Sequence, residues 1–105
     1  MHKDKKLKAL VRHMLELDIH HPTLVISLNR QINHLAHKEA QQLQDTKLHD
    51  KLILLTDEIA ILAESAIHAS TPAIIRVSQQ FETKQKELDV LYKEMFGSKK
   101  KKTSL

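Results

Sequence analysis

Apolar residues recur along this chain at three- and four-residue steps in four separate stretches, the spacing of amphipathic helices. In the first, about 3–19, Leu7, Leu10, Val11, Met14 and Leu17 form one stripe. His21-Pro22-Thr23 then interrupts, because proline restricts the residue before it and suits the first turn of a new helix. The second stretch, about 22–44, carries Leu24, Leu28, Ile32 and Leu35, and less regularly Leu43. The third, about 46–69, carries Leu48, Leu52, Leu55, Ile59, Leu62 and Ala66. Its alternating steps of four and three are a heptad seam. Ser70-Thr71-Pro72 predicts a helix start, a hydroxyl cap followed by proline. The fourth stretch, about 72–96, continues with Ile74, Val77, Phe81, Leu88, Leu91 and Met95. Lys84 is the one polar residue in that stripe, and Gly97 is placed to stop the helix.

The joint between the second and third stretches has no Gly or Pro between Gln41 and Asp50, so a single continuous helix competes with a break. The stripes decide. At about 100° per residue, the stripe from Leu24 to Leu35 and that from Leu48 to Ala66 point about 155° apart on one straight helix. A break at residues 44–46, with Asp45 as cap, lets both face one core. An unbroken helix would instead suit an intertwined dimer.

Four such helices predict an all-α, single-domain, antiparallel four-helix bundle over residues 1–97, followed by a disordered lysine-rich tail over 98–105. The first helix is short and could pack as a lid. The third has more apolar residues than one stripe needs: Ile53, Leu54, Ile61, Ala63 and Ile67 lie outside the seam. Val25 and Ile26 raise the same question on the second. Such a surplus marks either deep burial or an interface, and Val25, Ile26, Leu54 and Ile61 are the expected partner-facing residues.

Composition narrows the chemistry. One Gly and two Pro in 105 residues cannot supply the turns of a sandwich or barrel, nor the glycines of a phosphate loop. With no Cys, thiolate catalysis, disulfides and Cys-type zinc sites are excluded. The longest apolar run is five residues, from Ile59 to Ala63, against about 20 for a membrane span. The start does not read as a signal peptide, since Lys8, Arg12, His13 and Glu16 break its apolar stretch. A cytoplasmic location is the expectation.

The eight histidines (2, 13, 20, 21, 34, 37, 49 and 68) are the first candidates for chemistry, since neutral imidazole is a good metal ligand. Asp18-Ile19-His20-His21 with Leu24, Leu28 and Asn29 resembles the first metal-binding segment of hemerythrin-like bundles. The H-x-x-x-E pair that family needs on a neighbouring helix is missing: His49 is followed four later by Ile53, and His68 by Pro72. Arg30 and His37 resemble the Arg–His pair of HEPN-type nucleases in spacing only. His34 with His37 and Lys38 departs from the pattern of histidine-phosphotransfer bundles. Asp57 and Glu64, seven apart, share a helix face but would need a cleft to work as acid and base. Solvated or half-buried polar-face histidines and carboxylates are the expectation, and with them no catalytic residue, cofactor or metal.

The formal net charge of +4 is unevenly spread. Residues 1–12 carry +4 through Lys3, Lys5, Lys6, Lys8 and Arg12 against Asp4. Residues 98–105 carry +4 through Lys99, Lys100, Lys101 and Lys102, and residues 13–97 carry −4. Any anionic partner is therefore expected at the chain ends, on these eight lysines. The expected function is a non-enzymatic helical interaction module (an adaptor, chaperone-like or regulatory protein) that binds a protein partner through an apolar helix face. Self-association into a homodimer is a related expectation. In size, lack of Cys and helical content the chain is similar to bacteriocin immunity proteins, which are cytosolic four-helix bundles. That resemblance implies a membrane-surface immunity role. A nucleic-acid-associated role through the basic ends is the third reading.

Overall fold

A computed structural model describes residues 2–97, with side chains from residue 5 onward. The expected tail over 98–105, Lys99 to Lys102 within it, and the side chains of His2 and Lys3 lie outside the described residues. The rest is helical: α1 (His2–Glu16), α2 (Pro22–Ala40), α3 (Lys47–His68) and α4 (Thr71–Tyr92), then one π-helical turn, Lys93–Gly97. The links at 17–21, 41–46 and 69–70 are short, so consecutive helices run antiparallel. Each packs on the next, and α1 closes the bundle against α4. The core draws Leu7, Val11 and Met14 from α1, Leu28 and Ile32 from α2, Leu52 and Ile59 from α3, and Phe81, Leu88 and Leu91 from α4. α1 is part of the core and not a lid. Its closure is reinforced by the Gln85 amide, which donates to the carbonyls of Met14 (3.1 Å) and Leu17 (2.6 Å). These are among the carbonyls a helix end leaves without a partner of its own.

The break between α2 and α3 is present, but it starts earlier than expected and covers residues 41–46. α2 ends where the N–H groups of Gln42 and Leu43 turn back to the carbonyls of Glu39 and Ala40. Asp45 is not the cap expected of it: the N-cap position of α3 falls on Thr46, which makes no side-chain cap bond, and the Asp45 carboxylate instead accepts the N–H of Lys47 at 3.1 Å in a local turn just before the helix. α1 also stops early, at Glu16, because the Asp18 carboxylate takes the His20 N–H at 2.9 Å and offers the backbone an alternative to the helix. Ile19 lies beyond that end yet is buried.

Three further expectations need correction. α2 faces the core through Val25, Leu28, Ile32 and Ala36, while Leu24 is 48% exposed. Leu28 and Ile32 belong to either stripe, and the smaller Val25 and Ala36 allow close approach of the neighbouring helices. Ser70 precedes α4 in extended backbone but makes no side-chain cap bond. Gly97 closes the last turn without a positive φ, so the left-handed stop that glycine favours is not used.

Candidate partner-binding groove

α3 packs between α2 and α4 and still has apolar surface left over. Leu54 and Ile61 are each 61% exposed. Seven residues apart, they stand two turns from one another on the same face, about 10 Å along the helix. α4 runs antiparallel beside them and contributes Val90, 66% exposed. Between the two helices lie two adjoining depressions. One, of about 250 Å³, is lined by Leu54, Leu55, Val90 and Leu91 with Lys51, Glu58, Glu87 and Glu94. The other, of about 690 Å³, continues past Ile61 and Leu62 to Arg76 and Gln80. Glu58 and Glu87 border both, so the two form one shallow groove.

Lys84 bridges the middle of that groove. Its ammonium lies 3.0 Å from Glu58 Oε1 on α3 and 3.7 Å from Glu87 Oε1 on its own helix. The hydrogen bond to Glu58 holds its pKa above the ordinary lysine value. The polar residue in the fourth stripe is therefore an inter-helix ion-pair partner. Half-buried, it fits into the stripe because Glu58 reaches across to meet it.

The four expected interface residues separate. Leu54 and Ile61 border the groove. Val25 is fully buried in the core, and Ile26 is half-buried against it, so the apolar surplus of α2 is packing and not interface. Val90, which completes the groove, is adjacent to the stripe residue Leu91 and off the Leu88–Leu91 face. An apolar residue outside the stripe was the available signal.

The residues weighed for catalysis are dispersed. Asp57 accepts a hydrogen bond from Asn33 Nδ2 at 2.9 Å, tying α3 to α2, and Glu64 is exposed. Arg30 lines a furrow between α1 and α2 with Lys6 and His34, but not with His37. Among the described residues no three His, Asp or Glu gather in a way that could hold a metal ion. His13, His20, His21, His34, His37 and His68 are exposed. His49 differs: its Nε2 lies 3.0 Å from Glu39 Oε1, with only 13% and 8% of the two side chains exposed. That pair joins the end of α2 to the start of α3. The second oxygen, Glu39 Oε2, is buried without a hydrogen-bond partner.

No protein family, curated protein or solved structure matches the chain. Among the described residues no helix is long and apolar enough to cross a membrane.

Proposed function

We propose that the protein is a non-enzymatic interaction module that seats an apolar helix of a protein partner in the groove between α3 and α4. The observation that carries this reading is the pair Leu54 and Ile61, each 61% exposed in a chain whose core is complete without them. A helix laid along two antiparallel helices would meet Leu54, Ile61 and Val90 as a line of anchors. Covering each is worth about 1–2 kcal/mol. The charges along the rim (Lys51, Glu58, Lys84 and Glu87) would set register and discriminate among partners more than add affinity.

The test compares tagged wild-type protein with the Leu54→Glu/Ile61→Glu double variant and with Ile75→Glu, by quantitative pull-down from the source cells. Ile75 is also exposed, at 60%, but does not border the groove. Circular dichroism establishes that all three are folded. The expected result is a partner retained by wild type and Ile75→Glu and reduced at least about tenfold by the groove variant, the loss of one well-buried aliphatic anchor. Equal capture by all three would refute the groove. Light scattering at two concentrations shows whether a second copy fills it instead.

A further inference from the structure

Charge in the folded chain divides by helix pair. Residues 5–16 of α1 and 22–40 of α2 hold six cations (Lys5, Lys6, Lys8, Arg12, Arg30 and Lys38) against two carboxylates. One of the two, Glu39, is buried against His49, so among these residues only Glu16 sets a carboxylate in water. Asp18, in the link between the two helices, is taken up by the His20 N–H and the His21 ring. Residues 47–97, from α3 onward, hold six basic and eight acidic residues, a net of −2. The basic side of the bundle is the α1–α2 side, across from the α3–α4 groove.

These cations are ordered around a furrow of about 380 Å³ between α1 and α2. Lys6 stands on its α1 wall and Arg30 on its α2 wall, with the His34 imidazole next to Arg30 and with Leu10 and Leu35 beneath. Among the described residues neither Lys6 nor Arg30 has an ion-pair partner. Arg30, His34 and Lys38, all exposed, follow at four-residue steps and make a row about 12 Å long on α2. On α1, Lys5, Lys8 and Arg12 border a second depression, over about 10 Å. Arg12 there meets only the exposed Glu16, at 3.8 Å. Like charges one turn apart repel, so this arrangement adds nothing to the fold and awaits an anion.

We propose that this face binds the phosphate backbone of a double-stranded nucleic acid, with Lys6 and Arg30 on phosphates over the furrow and the outer rows on those to either side. A duplex carries one negative charge per about 1.7 Å of axis, so a face about 12 Å long meets a line of anions and not a single one. The planar guanidinium of Arg30 matches a phosphate bidentately, and a neutral His34 still supplies one N–H donor. Contacts of this kind position a protein on the duplex without reading its bases.

Other anionic partners fit this face less well. Among the described residues of α1 and α2, Leu24 at the start of α2 is the one large apolar side chain left exposed. A lipid surface would find nothing beside the cations to enter its headgroup layer. An acidic protein would find no apolar centre from which water is excluded. A single strand stacks its bases on aromatic rings, and the chain's Phe81, Tyr92 and Phe96 all lie in α4 and the turn after it. The proposal does not rest on the groove, which belongs to the other helix pair and stays open when a duplex is bound.

The test is fluorescence anisotropy of two labelled DNA duplexes of unrelated sequence, each about 20 base pairs, titrated with the full chain over a range of salt. Both should bind alike, with log K falling against log salt at a slope of about −3 to −5, the value for about three to six phosphate contacts. Lys6→Gln/Arg30→Gln should lose at least about tenfold in affinity at about 50 mM salt and flatten the slope by about one to two. Arg76→Gln/Lys86→Gln removes the same charge from exposed positions on α4 and should stay within about threefold of wild type, being screened from the site. Circular dichroism establishes that both variants are folded. Equal losses in the two variants would make net charge, and not this face, the cause, and would overturn the proposal. A flat salt response, wild-type affinity in Lys6→Gln/Arg30→Gln, or a preference above about tenfold between the duplexes would overturn it as well. So would tighter binding to vesicles holding about 30% phosphatidylglycerol than to either duplex, which would assign the face to lipid.

Discussion

His49 is the one described histidine with most of its side chain withdrawn from water, and removing it has a calculable cost. His49→Ala leaves the Glu39 carboxylate 8% exposed, with Oε2 already unpartnered and Oε1 now so as well. Breaking a buried pair from one side costs about 3–5 kcal/mol. Both side chains lie near the bundle end and keep some water access, so the lower figure, about 3 kcal/mol, applies here. A domain of this size has about 5–15 kcal/mol in total, and each kcal/mol moves Tm by about 4–8 °C. His49→Ala should therefore lower Tm by roughly 12–24 °C. The double replacement Glu39→Leu/His49→Leu should stay within about 1 kcal/mol of wild type, because exchanging a buried pair for apolar side chains of similar volume is often neutral or stabilising. The assay is urea unfolding followed by far-ultraviolet circular dichroism, since the chain has no Trp and one Tyr. An unchanged m-value would confirm that only stability moved. A loss below about 0.5 kcal/mol in His49→Ala, the range of ordinary surface changes, would refute the reasoning and place the pair effectively in solvent.

Three further outcomes follow from the geometry. Val25→Ala should cost about 2 kcal/mol, from two lost methyl groups and the cavity left behind. Leu24→Ala, although it removes more carbon, should cost well under 1 kcal/mol because Leu24 is 48% exposed; a reversed order in urea midpoints would mean the register of α2 is wrong. Gln85→Ala should leave the carbonyls of Met14 and Leu17 without their donor and destabilise by about 1–3 kcal/mol. Hydrogen exchange should then speed up first in α1, and uniform acceleration across all helices would count against a local closure. For pH, the His20 N–H, and after it the His21 ring, hold the Asp18 carboxyl below its ordinary value of 3.8. That stabilisation is complete above about 3.8 and is lost as pH falls through the lower folded value. Asp18→Asn should flatten the acid limb of stability measured between about pH 6 and about pH 2.5, and an unchanged acid limb would show that the turn does not depend on this charge. The linkage for Lys84 has the opposite sign: its raised pKa adds stability that is present below 10.5 and lost as pH climbs through the higher folded value.

The groove was partly legible before the fold was known. Leu54 and Ile61 stand off the heptad seam of α3, and an apolar residue off the stripe is either buried by a second neighbour or left in solvent. Sequence spacing cannot separate those outcomes. Ala63, also off the seam, is fully buried, Ile53 is half-buried, and Leu54 is exposed. The angle at which α2 and α4 meet α3 makes the difference. Val25 failed as an interface residue for the same reason, since a two-residue choice between Leu24 and Val25 depends on how α2 is rotated against its neighbours.

By itself the amino-acid sequence determined the class of the fold, the number of helices and the break near Asp45. These follow from short-range periodicity and from backbone limits at Pro22 and Pro72, which every copy of the chain obeys locally. It also determined that charge is concentrated near the two chain ends. Only the tertiary structure decided that Glu39 meets His49, that Lys84 is paired across helices by Glu58, and that Leu54, Ile61 and Val90 share one groove. Each of those facts depends on how far one helix is shifted along and turned about its neighbour, which is set by the packing of whole faces and not by the spacing of residues within any one of them.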